Sequence, residues 1–245
     1  MSERIRNLLR KVGLEFYRYS VQTSSGAQLQ RLLQFCRIDL VFDVGANRGH
    51  YASNLRANGY AGRIVSFEPL TTAHAQLESA ARADAAWQVA PRMALGDADR
   101  EITINIAGNS LSSSVLDMLP EHEQAAPGSA YVSIEPVALR RLDSVAGEYL
   151  IGSKRTLIKI DTQGYEDRVL AGAKGILHSV VAIQSELSFV PLYHEQPLFD
   201  EMRSKMETMG FVLFAVFPGY VHEQTGQTLQ IDGFFIRREI AAGGL

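Results

Sequence analysis

The alternation of apolar and polar positions predicts a series of strands connected by helices. Short apolar runs rich in β-branched residues alternate with segments whose apolar residues repeat at helical spacing. Strands joined by helices in this way form a mostly parallel sheet that is covered on both faces. The runs that predict strands are 38–44, 63–67, 87–90, 101–106, 132–137, 156–161, 180–186, 211–216 and 233–237. The last two pair as antiparallel strands, so the expected fold class is doubly wound α/β.

The helical segments are expected to lie on both faces of this sheet. They are residues 28–35, 48–57, 71–86, 166–173 and 199–209. Residues 101–106 alternate polar and apolar positions strictly, which is typical of an edge strand with one face in water. We expect residues 1–35 to form a helical extension and residues 36–245 to form the main domain.

The extension begins with a basic amphipathic pattern. Residues 3–19 place apolar side chains at helical spacing among five basic ones, which are Arg4, Arg6, Arg10, Lys11 and Arg18. One interpretation is a helix that lies on a membrane surface or docks a partner. The interpretation favoured by the sequence alone is a helix that caps the sheet or forms a homodimer interface, with its charges in water.

Residues 38–51 combine a strand, a glycine turn and the start of a helix. Gly45 and Gly49 bracket the turn, and backbone N–H groups at such a turn are expected to face a ligand. The dinucleotide fingerprint G-x-G-x-x-G would have glycines where this chain has Asn47 and His50. The turn therefore does not match a pyrophosphate site.

Two carboxylates near this turn narrow the choice of ligand. Asp43, at the end of the strand, disfavours phosphate and favours an ammonium group. Glu68 ends the next strand, 19 residues beyond Gly49, where a carboxylate can accept both hydroxyl groups of a ribose. Pro69 then holds the chain extended beside the nucleoside. S-adenosylmethionine (SAM) carries an ammonium group and a ribose but no phosphate, so it fits better than NAD.

Four motifs resemble those of the FkbM-type family of SAM-dependent methyltransferases. They are Asp-Val-Gly-Ala-Asn-Arg-Gly (43–49), Phe-Glu-Pro (67–69), Ala-Leu-Gly-Asp (94–97) and Lys-Ile-Asp-Thr-Gln-Gly-Tyr-Glu (159–166). The resemblance covers residues 36–238. It implies a Rossmann-like class I fold with seven strands and an antiparallel last strand, SAM as cofactor, and O-methylation of a sugar, polysaccharide or secondary metabolite.

The motifs also select the expected cofactor residues. The resemblance implies that Ala94 and Leu95 line the adenine. Two interpretations of Asp97 stay open: it contacts the adenine, or it belongs to an ordinary turn. The full expected cofactor set is Asp43, Gly45, Ala46, Asn47, Gly49, Glu68, Pro69, Ala94, Leu95 and Asp161.

Methyl transfer from SAM to a hydroxyl requires positioning and the removal of one proton. The candidate catalytic residues are Asp161, Glu186 and His194, with His222 as a further base candidate. In one mechanism His194 or Glu186 is the base and Asp161 orients the acceptor or the methionine end of SAM. In the other, Asp161 and Glu186 hold a divalent cation. An isolated Asp and Glu pair is a weak metal signal, so no metal is expected.

A long polar connection over residues 108–131 is expected to cover the acceptor. Connections of this length in a compact domain are usually functional. Its serines, Ser112 to Ser114, are the expected contacts.

The amino-acid composition of the chain excludes several other classes of protein. The chain has 245 residues, 46% of them apolar and 21% charged, which suits a single folded domain. The formal net charge is −3, and the sequence has no basic stripe suited to binding nucleic acid. Cys36 is the only cysteine, so an internal disulfide is excluded, and we expect it to pack as a small apolar group. No apolar run is long enough for a membrane span, and the cytoplasm is the expected compartment.

The expected partner is therefore a small-molecule or glycan acceptor with a free hydroxyl. Two other functions stay open at this stage. One is an NAD-dependent oxidoreductase or epimerase on a similar sheet. The other is a SAM-binding module without catalysis that acts through its N-terminal helix.

Overall fold

A seven-stranded sheet forms the centre of the computed structural model, which describes residues 3–126 and 128–243. In chain order the strands are β1 (Leu40–Val44), β2 (Arg63–Phe67), β3 (Trp87–Val89), β4 (Ala94–Leu95), β5 (Arg100–Ala107), β6 (Tyr131–Arg140), β7 (Thr156–Ile160), β8 (Val180–Ser188), β9 (Phe211–Pro218) and β10 (Gln230–Arg237). The central sheet has the order β3-β2-β1-β7-β8-β10-β9. Only β10 runs antiparallel to its neighbours, which confirms the doubly wound, mostly parallel sheet with an antiparallel last strand.

Helices connect these strands and cover both faces of the sheet. They are α1 (Glu3–Lys11), α2 (Ser25–Phe35), α3 (His50–Ala57), α4 (Thr71–Ala81), α5 (Pro120–Ala125), α6 (Leu142–Val145), α7 (Gly147–Leu150), α8 (Glu166–Ala171), α9 (Phe199–Thr208) and α10 (Arg238–Gly243), with a 3₁₀ helix over Lys174–Ser179. Several predicted boundaries are wrong, and the largest difference is at α4, where the pattern predicts a helix to residue 86 but the helix ends at Ala81. Helix α3 begins at His50 because Asn47 and Gly49 before it have positive φ angles, and α2 begins at Ser25, where the Ser24 hydroxyl accepts a hydrogen bond from the N–H of Ala27.

A second sheet, with the order β4-β6-β5, is a feature that the sequence did not predict. The expected strand 101–106 is β5 and does lie at an edge, but it belongs to this smaller sheet. Ile104, Val137 and Leu139 on its inner face pack in one buried cluster with Ala94. Strand β4 contains two residues, too few to give a pattern, and only its pairing with β6 defines it.

The core lies on both sides of β1. Leu40, Phe42 and Val44 point to one face of the sheet and Val41 to the other, and all are buried. A strand buried on both faces needs a continuous apolar run, which is why residues 38–44 show no alternation. The ring of Phe42 packs edge-on against Phe67 with centroids 5.9 Å apart, which holds the ends of β1 and β2 side by side.

The N-terminal residues divide into a packed and an exposed part. Helix α2 buries Leu32 and Leu33 in the core, and Cys36 after it is fully buried, as expected of a small apolar group. Burial raises the pKa of the Cys36 thiol to about 11. Helix α1 does not cap the sheet, so that half of the interpretation is wrong: residues 11–19 are exposed, as are Ile5 and Leu8. The homodimer interface stays a prediction. The domain boundary at residue 35 stays a prediction.

Candidate active site

The turn after β1 is built by two glycines with left-handed backbone angles. Gly45 has a φ of 74° and Gly49 a φ of 85°, a region that other residues rarely adopt. A Cβ atom on Gly45 would lie 1.8 Å from the carbonyl oxygen of Asp161. Only glycine therefore allows Asp161, which directly follows β7, to approach the end of β1 this closely.

The backbone N–H groups of this turn are engaged within the protein, contrary to the expectation that they face a ligand. Those of Gly45 and Ala46 donate to the carbonyl oxygen of Phe67 at 3.1 and 3.0 Å. That of Asn47 donates to Oε2 of Glu68 at 2.8 Å. A phosphate bound here would need free N–H donors. The turn therefore lacks the anion cradle of a dinucleotide site.

Glu68 lies at the turn and is almost fully buried. Its Oε2 accepts from Asn47, and its Oε1 accepts from the N–H of Leu70 at 2.8 Å. Each carboxylate oxygen keeps a second lone pair that can accept from a ligand hydroxyl. Burial, with smaller opposing effects of the two N–H groups, raises the pKa of Glu68 to about 7.

A cavity of about 700 Å³, counting its open mouth, lies above these strand ends. Seven of the expected cofactor residues line it, namely Gly45, Asn47, Glu68, Pro69, Ala94, Leu95 and Asp161. Ala46 and Gly49 belong to the turn but are outside its lining. Asp97 is also outside and pairs with Arg168 at the surface, with 3.1 Å between Oδ2 and Nη1.

Asp43 points into the sheet and not toward the cavity. It is fully buried, its Oδ1 lies 3.4 Å from Nζ of Lys159, and its Oδ2 accepts from the hydroxyl of Ser66 at 3.2 Å. Its expected attraction for a ligand ammonium is therefore wrong, because Lys159 already balances its charge. Burial raises the pKa of Asp43, although the adjacent ammonium opposes this.

Lys159 lies between the buried Asp43 and Asp161 and forms an ion pair with each. Its Nζ also lies 3.4 Å from Oδ2 of Asp161, which lines the cavity. Burial alone would lower the pKa of Lys159, but the carboxylates of Asp161 and Asp43 outweigh burial and hold the pKa above its ordinary value. Lys159 therefore stays charged and fixes one oxygen of Asp161.

Gln163 connects the two expected catalytic carboxylates, a role that the sequence analysis missed. Its Nε2 donates to Oδ1 of Asp161 at 2.9 Å and to Oε2 of Glu186 at 3.2 Å. Its Oε1 accepts from the hydroxyl of Tyr193 at 2.8 Å. Burial raises the pKa of Glu186 well above its ordinary value, and the nearby carboxylates Asp161, Glu166 and Asp232 add to the effect. The signal in the sequence was the position of Gln163 inside the fourth motif.

Glu166, also in that motif, shapes the loop that carries Gln163. Its Oε1 accepts from the N–H groups of Thr162 and Gly164 at 2.9 and 3.1 Å, and from the Thr162 hydroxyl at 3.2 Å. These bonds hold Gln163 at a φ of 55°, a left-handed angle for a residue with a side chain. Burial raises the pKa of Glu166 to about 7.

The serines of the 108–131 connection lie against the same cavity. Ser110, Ser113 and Ser114 line it, whereas Ser112 is buried beneath them. The Ser114 hydroxyl donates to the carbonyl oxygen of Gln163 at 2.7 Å. The connection is therefore tied to the loop that carries Gln163, and its serines form part of the cavity lining.

The structure does not bring the two candidate histidines into the cavity. His194 is exposed, and His222 lies between β9 and β10 outside the lining. A third histidine, His122, is buried, with Nε2 3.2 Å from the hydroxyl of Ser112 and its ring 5.0 Å from that of Tyr193. Burial lowers the pKa of His122. No pattern in the sequence indicated that His122 would contact Ser112 of the 108–131 connection.

A second cavity of about 950 Å³, also open to solvent, lies between α2, α3, the end of β9 and residues of β8 and β10. Polar residues in its lining include Gln30, Tyr51, Asn54, Asn58, Gln184 and Asp232. The Tyr51 hydroxyl donates to Oε1 of Gln184 at 2.8 Å, and Nζ of Lys159 lies 5.2 Å from the centre of the Tyr51 ring. Lys159 therefore contacts one lining residue of each cavity, Asp161 of the first and Tyr51 of the second.

The described residues include no cluster of three or more His, Cys, Asp or Glu side chains arranged to hold a metal ion. In the same part of the chain, no helix has the length and apolar character needed to cross a membrane.

The sheet order and the pairing of an acidic strand tip with a glycine turn define a class, the SAM-dependent methyltransferases on a Rossmann-like sheet. The family follows from sequence comparison. The model of the methyltransferase FkbM domain matches residues 43–213, and the chain belongs to this family. No curated protein matches the chain significantly.

A solved structure with a TM-score above 0.5 supports the fold, and a second is similar to the chain at a lower TM-score. A methyltransferase FkbM from Methylobacillus flagellatus KT aligns over 89% of this chain with 16% identity and a TM-score of 0.55. The chain spans about half of that protein, since the alignment covers 48% of it. A SAM-dependent methyltransferase from Mesorhizobium loti aligns over 89% of this chain and 100% of its own, with 7% identity and a TM-score of 0.49.

Proposed function

We propose that this methyltransferase moves the methyl group of SAM to a hydroxyl of a sugar, polysaccharide or secondary metabolite. The observation that carries the proposal is one cavity that is lined both by Glu68 and the glycine turn and by Asp161 and Gln163. The first group of residues suits a nucleoside, and the second suits the positioning of an acceptor and the removal of its proton.

The lining fits the cofactor. Glu68 can accept both ribose hydroxyls, while Ala94 and Leu95 with Met93 give an apolar wall against which adenine can pack. The engaged N–H groups of the turn favour a ligand without phosphate, which supports SAM over NAD. We assign Asn47, which also lines the cavity, to the residues that bind the nucleoside.

In the proposed reaction, bound SAM supplies an activated methyl group, and the protein positions the acceptor and accepts its proton. We assign proton removal to Glu186, which is outside the cavity lining but whose Oε2 lies 3.2 Å from Nε2 of Gln163, a lining residue. A carboxyl with a raised pKa is also a better base near neutral pH. Gln163 orients this carboxylate. Asp161, held by Lys159 and Gln163, orients the acceptor hydroxyl or the methionine end of SAM.

The second cavity gives room for the acceptor. Its amide and hydroxyl groups, such as those of Gln30, Asn54 and Tyr51, are suited to hydrogen bonds with a polyhydroxylated molecule. Asp232, which lines this cavity, disfavours an anionic acceptor, because the residues that line the cavity include no lysine or arginine to balance its charge. A neutral glycan or metabolite with free hydroxyls therefore fits best.

Calorimetry and methyl transfer test the proposal together. We expect SAM and S-adenosylhomocysteine to bind, and methyl-labelled SAM to modify a member of a panel of neutral sugars, glycans and polyols. Thermal stabilisation by NAD and not by S-adenosylhomocysteine would favour the oxidoreductase. Cofactor binding without transfer to any acceptor in the panel would favour a non-catalytic SAM-binding module.

A further inference from the structure

The N-terminal segment, residues 3–21, exposes apolar side chains that the core does not use. It contributes eight of the seventeen large apolar side chains that are exposed in the described residues. They are Ile5, Leu8, Val12, Leu14, Phe16, Tyr17, Tyr19 and Val21. Apolar side chains concentrated in one exposed segment mark an interaction surface, whereas scattered ones need no explanation.

The apolar residues of α1 share one face. Ile5 and Leu8, with Val12 just beyond the helix, follow the spacing of three and four residues that defines a stripe, and they are 51%, 65% and 68% exposed. Arg6 and Arg10 lie between them in sequence, off the stripe, and are exposed as well. The segment therefore presents an apolar stripe flanked by cations.

The charge of the segment differs in sign from that of the whole protein. Residues 3–19 contain five basic and two acidic side chains, whereas the formal net charge of the chain is −3. A basic segment on an acidic protein is attracted to an anionic surface, and the rest of the molecule is repelled from it. The attraction is therefore local to the N-terminus.

We propose that the N-terminal segment docks the protein on an anionic lipid surface, with α1 lying in the plane of the interface. The stripe would enter the boundary between headgroups and acyl chains while the exposed side chains of Arg6 and Lys11 contact lipid phosphates. A second copy of the chain is a poorer occupant, because two such segments would bring like charges together. A nucleic acid would leave the apolar stripe in water.

Docking here would place the second cavity near the lipid. A groove lined by Tyr17, Val21 and Gln22 continues to Ser24, Ser25 and Pro218, and these last three residues also line the second cavity. The mouth of that cavity therefore adjoins the docking segment. The docking proposal does not depend on the proposed reaction.

Vesicle sedimentation with the full chain tests the proposal. The probe is phosphatidylcholine vesicles with about 30% phosphatidylglycerol, and vesicles of phosphatidylcholine alone are the comparison. We expect binding to the anionic vesicles, weakened by salt and reduced at least about tenfold in the double variant Leu8→Glu with Val12→Glu.

A matched control separates the apolar stripe from charge alone. Val132 and Ile134 on β6 are 68% and 67% exposed, so Val132→Glu with Ile134→Glu adds the same charge elsewhere. We expect this control to bind vesicles as the wild type does. Equal loss in both variants, equal binding to neutral vesicles, or no vesicle binding overturns the proposal.

Two further results would assign the segment to another occupant. A dimer in light scattering that the Leu8 and Val12 variant dissociates would mean that a second copy covers the stripe. Binding to a DNA duplex that exceeds binding to anionic vesicles would mean a nucleic-acid arm. Cofactor binding by both variants serves as the check that they are folded.

Discussion

Oε2 of Glu68 accepts a hydrogen bond from the backbone N–H of Asn47 at 2.8 Å, which joins the tip of β2 to the turn after β1. Both residues line the cavity. This contact places the expected ribose acceptor and the expected nucleoside turn on the same rim. Had Glu68 been on the opposite rim, the nucleoside proposal would have failed.

We expect Glu68→Ala to weaken SAM binding by about 2 kcal/mol, or about 30-fold, because hydrogen bonds to a charged acceptor are lost. Calorimetry measures the change. Glu78→Ala on α4 is the matched control, since this glutamate is 60% exposed and outside the cavity. Equal affinities for the wild type and Glu68→Ala would remove Glu68 from the cofactor site.

The affinity for SAM should fall on acidification. The pKa of Glu68 is raised to about 7, so at pH 6 about a tenth of the molecules carry the carboxylate that accepts the ribose hydroxyls. We expect affinity to drop about tenfold between pH 8 and pH 6. Titrations of the wild type at several pH values measure this, and a profile flat across that range would contradict the assigned role.

Glu166→Gln should flatten the pH dependence of stability. The folded-state pKa of about 7 lies above the unfolded value, so the favourable contribution of Glu166 is complete below about 4.5 and is lost as the pH rises through 7. Glutamine keeps one oxygen for the three hydrogen bonds and carries no charge. Between pH 4.5 and pH 8, we expect the free energy of unfolding of the variant to rise by up to about 3 kcal/mol relative to that of the wild type.

Urea unfolding at several pH values measures this difference. Glu101→Gln serves as the control, because the side chain of Glu101 is 73% exposed. If the difference in free energy of unfolding between Glu166→Gln and the wild type does not grow with pH, then the pKa of Glu166 is not raised in the folded protein.

Gln163→Leu should lower turnover while leaving cofactor affinity nearly unchanged. The change removes the donor that holds Asp161 and Glu186, so we expect a loss of about a hundredfold in kcat. Steady-state kinetics and calorimetry on one preparation measure both values. Gln88→Leu on the exposed side of β3 is the control. Parallel losses of turnover and cofactor affinity would make Gln163 a binding residue.

Glu186→Gln should also reduce turnover, by at least about a hundredfold if Glu186 accepts the proton. His194→Ala should retain full activity, because His194 is exposed and outside the cavity. The two variants measured side by side on the same acceptor decide between the bases. Loss of activity in His194→Ala would restore the histidine mechanism.

Gly45→Ala should prevent folding or destabilise the protein by more than about 3 kcal/mol, because its Cβ would overlap the Asp161 carbonyl. Gly152→Ala is the matched control: this glycine also has a positive φ, of 80°, but nothing lies within 4 Å of an added Cβ. We expect the control to cost about 1 kcal/mol by thermal unfolding. Similar losses would mean that backbone strain alone, and not the close approach, matters at Gly45.

The sequence by itself determined the strand, turn and helix around Gly45 and the position of Glu68 at the end of β2. These features are local. A strand buried on both faces favours a mostly apolar run, and the close approach of Asp161 to Gly45 requires glycine, so both leave a direct record in the residues. The parallel arrangement then places the carboxyl ends of β1, β2, β7 and β8 at one edge of the sheet.

Only the tertiary structure decided which side chains meet at that edge. Asp43 and Lys159 pair because β1 and β7 are in register, and Gln163 reaches Glu186 because its loop turns at Gly164. The exposure of His194 and the formation of the second sheet likewise depend on contacts between distant segments. Such contacts follow from packing and register between strands, which hydrophobic spacing along the chain does not encode.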